Sequence, residues 1–283
     1  MRINHNIASM VTQGSLFRVN RDMSKSLEQL STGLRINSAA DDAAGLGVSE
    51  NLRTQVRGTA QAKRNAMDGI AAISVAEGAA NEISDILQRM RELAVQSSND
   101  TLTATERAYT NQEFRALIDE IDRIADVTNY NRQKLLSSGG SRFGQGSGGS
   151  ALWVDANAVY GVDSITVTID TLTTATGNGI GVQDLQLMSQ SSSATAISTL
   201  DSAIDSVNTM RSNMGAYVNR IEHAINNLTI SNTNQQSAES LIRDVDFAHA
   251  SARFTRNQIL SQSATAMLSQ ANMVPQGVLQ LLG

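Results

Sequence analysis

The feature that most constrains this chain is an apolar repeat in its second half, where side chains recur alternately every three and every four residues. This spacing keeps the side chains on one stripe of an α-helix and is typical of a coiled-coil seam. The seam consists of Ile197, Leu200, Ile204, Val207, Arg211, Met214, Val218, Ile221, Ile225 and Leu228. The repeat predicts a helix over residues 198–229, roughly 48 Å long at 1.5 Å per residue. A rod of that length needs partner helices along its seam.

The first half of the chain contains three further amphipathic patterns that predict helices. The first is interrupted at Gly33, the second extends over residues 43–96, and the third follows Thr103, which has capping-box spacing to Glu106. Their stripes include Leu16, Met23, Leu27, Leu30 and Leu34 in the first, Ile83, Leu87, Met90 and Leu93 in the second, and Phe114, Ile118, Ile121 and Ala125 in the third. The second and third patterns are joined by a short turn and are expected to pack antiparallel.

Charged residues on these two predicted helices are spaced for ion pairs. Asp85 precedes Arg89 by one helical turn, and Asp119 precedes Arg123 in the same way. With the acid first, this is the favourable orientation, so the sequence predicts both pairs.

The middle of the chain changes character. Residues 137–150 are rich in Gly and Ser and predict a flexible loop. Residues 164–170 alternate with a period of two, which predicts a strand, and residues 151–154 supply a second one. Turn residues follow at 177–179. The sequence therefore predicts a small β element between helical halves.

The last segment is apolar on one side again after a polar stretch at residues 231–240. Its stripe is predicted to comprise Phe254, Leu260, Ala264, Met267, Leu268 and Ala271. Pro275 is expected to interrupt this helix. Leu279 and Leu282 lie beyond the proline and complete an apolar terminus.

These patterns predict a mainly α fold: a long antiparallel helical and coiled-coil bundle formed by the N- and C-terminal halves, with a small β-hairpin region in the middle. Residues 1–42 and 240–283 are expected to form a terminal coiled-coil assembly domain, and residues 43–239 a helical rod with its β region at about 141–182. Isolated helices are marginal in water, so the termini are expected to order by packing with one another and with neighbouring copies. Contacts that do not close on themselves give a helical filament.

Composition argues against several other classes. The chain has 283 residues, a net charge of −5, one Pro and no Cys, so disulfides and cysteine nucleophiles are excluded. The chain has no basic stripe of the kind that binds nucleic acid. It also has no apolar run long enough to predict a membrane span, and its N-terminus does not have the apolar run of a cleavable signal. No phosphate-binding glycine loop or Ser/His/Asp set is evident. The sequence predicts neither an enzyme nor a cofactor.

Several motifs in fixed order carry a family resemblance. They are LSTGLRINSAADDAAG at residues 30–45, RNAMDGI at 64–70, QRMRELAVQ at 88–96, GAYVNR at 215–220 and ANMVPQ at 271–276. In these motifs the chain resembles bacterial flagellin over residues 1–136 and 195–283. Only a short segment separates the matching ends, so the large outer domains of long flagellins are expected to be absent.

The resemblance implies a structural subunit that self-polymerises into the bacterial flagellar filament used for motility. It implies export through the flagellar type III apparatus, and partners that include an export chaperone, the filament cap and hook-junction proteins. An external filament and one enclosed in the periplasm or a sheath both fit. The residues predicted to serve filament assembly are Leu27, Leu30, Leu34, Phe254, Leu268, Leu279 and Leu282.

The resemblance also implies recognition by the vertebrate flagellin-sensing Toll-like receptor. Arg89, Leu93 and Glu113 fall at the positions that match the family's recognised helices.

Several other residues that could suggest a function also have an ordinary structural interpretation. His5, His223 and His249 show no metal-ligand spacing, and Asp41 with Asp42 suits helix capping better than acid–base chemistry. Arg211 either meets a partner carboxylate across the seam or extends its charge outward. The sequon at residues 227–229 falls inside the heptad helix, so we attribute it to chance. The Ser/Thr-rich stretches at 189–199 and 171–176 are either O-glycosylated or ordinary polar loops.

Two other functions compete with the filament subunit. A hook–filament junction protein shares the paired-ends layout, but lacks close matches to the motifs at 88–96 and 271–276. A coiled-coil adaptor or adhesin predicts a small fixed oligomer with fully ordered ends.

Overall fold

The computed structural model describes residues 5–137, 143–144, 149–157, 159, 161–177 and 179–282, with the backbone alone for residues 274–282. Within these ranges the helices are α1 (Ile7–Thr32), α2 (Ala43–Ser98), α3 (Ala104–Val127), α4 (Gln190–Arg243) and α5 (Phe247–Leu282). Two antiparallel strand pairs lie between α3 and α4, namely β1 (Asn129–Tyr130) with β2 (Gln133–Lys134) and β3 (Ser150–Trp153) with β4 (Ser164–Val167). The predicted mainly α fold with a small central β region is confirmed. Most of the predicted Gly/Ser loop, and Asn178 of the predicted turn, lie outside the described residues.

Local capping explains where the helices begin and end. The capping box is confirmed, because Thr103 accepts from the backbone of Glu106 while the Glu106 side chain accepts from the backbone of Thr103. Gly33 ends α1 in the left-handed conformation, at φ 72°, and its N–H donates to the carbonyl of Gln29. At the start of α5, the carboxylate of Asp246 accepts from two backbone amides, a cap that sequence reasoning did not identify.

Two predicted helix boundaries were wrong. Helix α4 starts at Gln190 and continues through the polar stretch to Arg243, rather than covering only residues 198–229. Ser, Thr and Asn are weak helix formers, but no Gly or Pro interrupts the chain between Gly215 and Pro275. Pro275 does not end α5 either, because the helix runs on to Leu282. A proline removes only one backbone donor, so a helix can be kept on both sides of it.

The predicted ion pairs within single helices were also wrong. Arg89 instead contacts Glu92 at 3.0 Å on its own helix and Glu113 at 2.9 Å on α3. Arg123 contacts Glu120 at 2.6 Å. Spacing on one helix does not reveal a competing carboxylate on a neighbouring one, which explains the first error.

The chain divides into two compact units. The terminal unit comprises residues 1–56 and 233–283, and the central unit comprises residues 57–232. Both boundaries fall inside helices, namely α2 and α4. The predicted division at residues 42 and 240 concerns assembly rather than compactness, and it stays a prediction.

The central unit contains an extensive apolar core. Apolar side chains from α2, α3 and α4 pack together with residues of the β region. The apolar members of the predicted α4 seam from Ile197 to Ile225 are buried in this core or packed against it, and Leu228 is buried as well. Arg211 is half-buried, and its Nε has no hydrogen-bond partner among the described residues.

The β3–β4 hairpin region packs closely on α2 at two helical glycines. A Cβ atom on Gly69 would lie 2.5 Å from Cδ1 of Leu152, and one on Gly58 would lie 2.6 Å from Cβ of Ala156. Real Cβ atoms do not approach other carbons so closely, so these glycines permit the contact.

Candidate assembly surfaces

Helices α1 and α5 pair antiparallel within the terminal unit through an inner seam. Polar contacts fix the direction: Nδ2 of Asn6 donates to the carbonyl of Ala271 at 2.8 Å, and Oγ of Ser261 donates to Oδ1 of Asn20 at 3.0 Å. The inner seam consists of Thr12, Ser15, Leu16, Val19, Met23, Ser26 and Leu30 on α1, and of Phe254, Asn257, Ser261, Ala264, Leu268 and Ala271 on α5. The expectation that the two ends of the chain meet is confirmed. Half of this seam is polar or alanine, so it contributes less hydrophobic stabilisation than a Leu-rich coiled coil would.

A short backbone ladder joins the segments that follow α1 and precede α5. The amide of Arg35 donates to the carbonyl of Arg243 at 2.7 Å, and the amide of Val245 donates to the carbonyl of Gly33 at 3.0 Å. Between them, Leu34 forms an antiparallel bridge with Asp244. The ladder holds the α1 and α5 ends of the terminal unit together independently of the helical seam.

Asp41 fixes the turn that links α1 to α2. Its Oδ2 accepts from the backbone amides of Asn37 and Ser38, and its Oδ1 lies 2.6 Å from Nζ of Lys25. The Lys25 ammonium, followed by the two amides, lowers the pKa of Asp41 from 3.8 to about 2. The capping interpretation of Asp41 and Asp42 agrees with this geometry, because Oδ1 of Asp42 accepts from the amide of Gly45 at 2.8 Å.

Each terminal helix also carries an apolar face that points away from the inner seam. The outer face of α1 consists of Ile7, Met10, Val11 and Phe17, and the outer face of α5 consists of Ile259, Leu260, Met267 and Met273. All eight side chains are exposed, and Phe17 is 71% exposed. Large apolar side chains exposed in this number on two paired helices make the two outer faces candidate contacts with other chains.

The predicted assembly residues fall in three places. Leu30, Leu34, Phe254 and Leu268 are half-buried within the terminal unit, and Leu27 is exposed. Leu279 and Leu282 lie on α5, where the structure describes the backbone alone. The predicted stripe of α5 was wrong in part, because Leu260 and Met267 lie on the outer face and not in the seam. A helix that is apolar on two sides has no single apolar stripe in its sequence, so the prediction combined residues of both faces into one stripe.

The residues predicted to meet the innate receptor lie on α2 and α3 of the central unit. Nε and Nη2 of Arg89 donate to Oε1 of Glu113 at 3.0 and 2.9 Å, and both side chains are about half exposed. Glu113 and Glu92 raise the pKa of Arg89, which therefore stays protonated. Leu93 is only 2% exposed and belongs to the core beneath this pair.

Three observations on the described residues concern metal ligands, membrane spans and the Ser/Thr-rich stretch at 171–176. The described residues contain no group of three or more His, Asp or Glu side chains that could hold a metal ion. Among the helices searched in the described ranges, none combines the length and apolarity needed to cross a membrane. Within the stretch at 171–176, Thr174 is buried, and its Oγ1 donates to Oδ2 of Asp122 at 2.6 Å.

Comparison with known proteins decides the family. A family model for the bacterial flagellin N-terminal helical region matches residues 3–140, and one for the bacterial flagellin C-terminal helical region matches residues 197–282. This chain belongs to the bacterial flagellin family. As a flagellin, it is a structural subunit of the flagellar filament.

Full-length relatives support this assignment. This flagellin is 44% identical over 284 residues to a flagellin of Halalkalibacterium halodurans, and 43% identical over 288 residues to the flagellar filament 33 kDa core protein of Treponema phagedenis. Each alignment covers 100% of both chains, so the short form without large outer domains is confirmed. A solved structure of a putative flagellar hook-associated protein from Vibrio parahaemolyticus covers 72% of this chain and 99% of its own at a TM-score of 0.55. At 15% identity, that likeness shows the fold alone.

Proposed function

We propose that this flagellin polymerises by placing the outer face of α1 of one copy against the outer face of α5 of the next. The observation that carries the proposal is the contrast between the two sides of each terminal helix. About half of the inner seam, which the chain covers itself, is polar or alanine, whereas the named side chains of the outer faces are apolar and exposed. The hydrophobic gain that remains available to the terminal unit therefore lies between copies.

The two faces also account for an open polymer. They belong to different helices and carry different side chains, so a contact between them is heterologous. Each added copy presents one used face and one free face. Growth therefore continues in one direction and does not stop at a closed dimer.

The test is seeded filament growth by Phe17→Asp, with Phe17→Leu as the matched control. An aspartate in a desolvated apolar contact is strongly unfavourable, whereas leucine keeps the contact apolar. We expect the aspartate variant to keep the helical content of the monomer, by circular dichroism, and to add no length to seeds in electron micrographs. Normal filaments from Phe17→Asp would overturn the proposed contact.

The predicted functional division extends this proposal to the far end of α5. Residues 1–42 and 240–283 act as the assembly domain and residues 43–239 as the rod, so Leu279 and Leu282 belong to the assembly surface. Leu279→Asp with Leu282→Asp is therefore expected to block growth while the helical core of the monomer is retained. Filaments of normal length from that double variant would remove these two residues from the surface.

Receptor recognition is proposed for the surface formed by Arg89 and Glu113. Their exposure supports direct contact, and the burial of Leu93 supports a role in holding α2 and α3 in place beneath them. Arg89→Glu is expected to lower receptor signalling in a reporter-cell assay, with Arg123→Glu as the control on the surface of α3. Equal potency of Arg89→Glu and the unaltered protein would contradict this role.

The remaining proposed partners are those that the flagellin family implies. An export chaperone, the filament cap and hook-junction proteins are proposed because the terminal helices of the free chain expose apolar faces that need cover before and during assembly. Co-purification of the chain with each candidate, compared with Phe17→Asp, tests whether the outer face of α1 takes part.

A further inference from the structure

The methionines of this chain divide into an exposed set and a buried set. The chain has ten Met and no Cys, so thioethers are its only sulfur groups. Met10, Met267 and Met273 are 64%, 63% and 58% exposed, whereas Met90, Met210 and Met214 lie in the core of the central unit. Solvent exposure determines which thioethers a dissolved oxidant can reach, so the exposed methionines are expected to oxidise faster than the buried ones.

The three most exposed methionines among the described residues all belong to the proposed assembly contact. Met10 lies on the outer face of α1 beside Ile7 and Val11, and Met267 and Met273 lie on the outer face of α5. Methionine suits such a face, because its unbranched thioether fills irregular gaps against a partner surface. The same property places an oxidisable atom inside the contact.

We propose that Met10, Met267 and Met273 form an oxidation site through which hydrogen peroxide controls the addition of subunits. The inference rests on the proposed function. The sulfur lone pair attacks one peroxide oxygen, an S–O bond forms, the O–O bond breaks, and the other oxygen leaves as water with both protons. Sulfur is oxidised by two electrons and the peroxide is reduced by two.

The product changes the face that must be buried. A sulfoxide is polar, and its oxygen accepts hydrogen bonds from water on the free monomer. The eight named side chains of the two outer faces are apolar, and none of them carries a hydrogen-bond donor for the sulfoxide oxygen. An unsatisfied polar group in a desolvated contact is unfavourable, so an oxidised monomer joins the filament more slowly. Methionine sulfoxide reductases restore the thioether, so the change is reversible.

The central unit supplies an internal control. Met67 and Met188 are 54% and 52% exposed, close to the first set, but neither lies on an outer face of α1 or α5. Peroxide is expected to oxidise them at a similar rate without affecting growth through the terminal helices.

The experiment uses full-length monomer, treated with dilute hydrogen peroxide and mapped by peptide mass spectrometry, followed by seeded growth measured by light scattering. The growth rate after peroxide is divided by the rate of the same protein before peroxide. We expect this ratio to fall about tenfold or more for the unaltered chain, as one unsatisfied buried polar group predicts. It should fall equally for Met67→Leu with Met188→Leu, and stay near one for Met10→Leu with Met267→Leu and Met273→Leu. Reductase treatment should restore the unaltered chain.

Two results would overturn the inference. The first is an unchanged ratio for the unaltered chain when sulfoxide is confirmed at Met10 and Met267. The second is an equal fall for the triple leucine variant, which would place the sensitive methionines elsewhere. The Phe17→Asp test separates this failure from failure of the proposed contact. If Phe17→Asp blocks growth while peroxide does not, the contact stands and the oxidation site does not.

Discussion

The central and terminal units of this flagellin use the same kind of helix in different ways. In the central unit, helices α2, α3 and α4 bury large side chains such as Phe114, Leu87 and Ile121 completely. In the described part of the terminal unit, Ile36 and Ala250 are the only buried apolar side chains. Hydrophobic stabilisation scales with buried apolar area. The central unit therefore gains more hydrophobic stabilisation from its own packing than the terminal unit does.

The largest expected difference comes from truncating one phenylalanine in each unit. Phe114→Ala opens a cavity in the central core and is expected to lower the free energy of unfolding by about 3–5 kcal/mol. Phe17→Ala removes an exposed side chain and is expected to change the stability of the monomer by no more than about 0.5 kcal/mol. Chemical denaturation of both monomers measures the difference. Similar losses would mean that the terminal unit has a core of its own and that the two units do not differ in this way.

The next largest effect concerns the close approach of the hairpin region to α2. Gly69→Ala would place a Cβ 2.5 Å from Cδ1 of Leu152, so the Leu152 side chain must shift, and we expect a loss of about 1–3 kcal/mol. Gly78 on the same helix has open space around its missing Cβ, so Gly78→Ala should stabilise by up to about 1 kcal/mol. Thermal unfolding of the two variants should move in opposite directions. Equal shifts would show that helix propensity alone governs both glycines.

A smaller effect is expected at the start of α3. Thr103→Ala removes one half of the capping box and should lower the stability of the central unit by about 1 kcal/mol. The exposed neighbour Thr101 lies outside the helix, so Thr101→Ala is the matched control. The same denaturation experiment applies, and an equal loss from both variants would argue against the cap.

The last effect is the response of the terminal unit to acid. Because the pKa of Asp41 is about 2 when folded and 3.8 ordinarily, its contacts stabilise fully above about pH 4 and are lost as the pH falls toward 2. Asp41→Asn keeps the side-chain shape without the charge and should show less of this loss. Hydrogen exchange of the amides of Asn37 and Ser38 between pH 5 and 2, corrected for intrinsic rates, measures it. Identical pH profiles for the two proteins would contradict the assignment to Asp41.

Sequence reasoning predicted the features that are determined locally. The α4 seam and the capping box at Thr103 depend on spacing within one segment, so the spacing alone was enough to reveal them. The pairing of the two ends of the chain was also predicted, because each end carries apolar residues that must be buried against a partner. The family motifs predicted the function, and the comparisons confirmed it.

The features that sequence reasoning missed depend on contacts between segments. Leu260 and Met267 looked like seam residues, and only the position of α1 shows that they lie on the outer face. Arg89 had a suitable acid one turn away, but Glu113 on α3 competes for it. The spacing of residues along one helix determines neither the face on which Leu260 and Met267 lie nor the partner of Arg89.

Cross-linking between copies tests the proposed assembly contact itself, and the absence of native Cys makes the chain suitable for it. One copy carries Cys at Met10, Val11 or Phe17, a second carries Cys at Ile259, Leu260 or Met267, and the two are copolymerised and then oxidised. Disulfides form only when Cα atoms approach to about 4.4–6.8 Å. We expect at least one such pair to give a mixed covalent dimer in filaments and none to do so in monomers. Normal filaments in which no outer-face pair cross-links would contradict the contact between α1 and α5 of neighbouring copies.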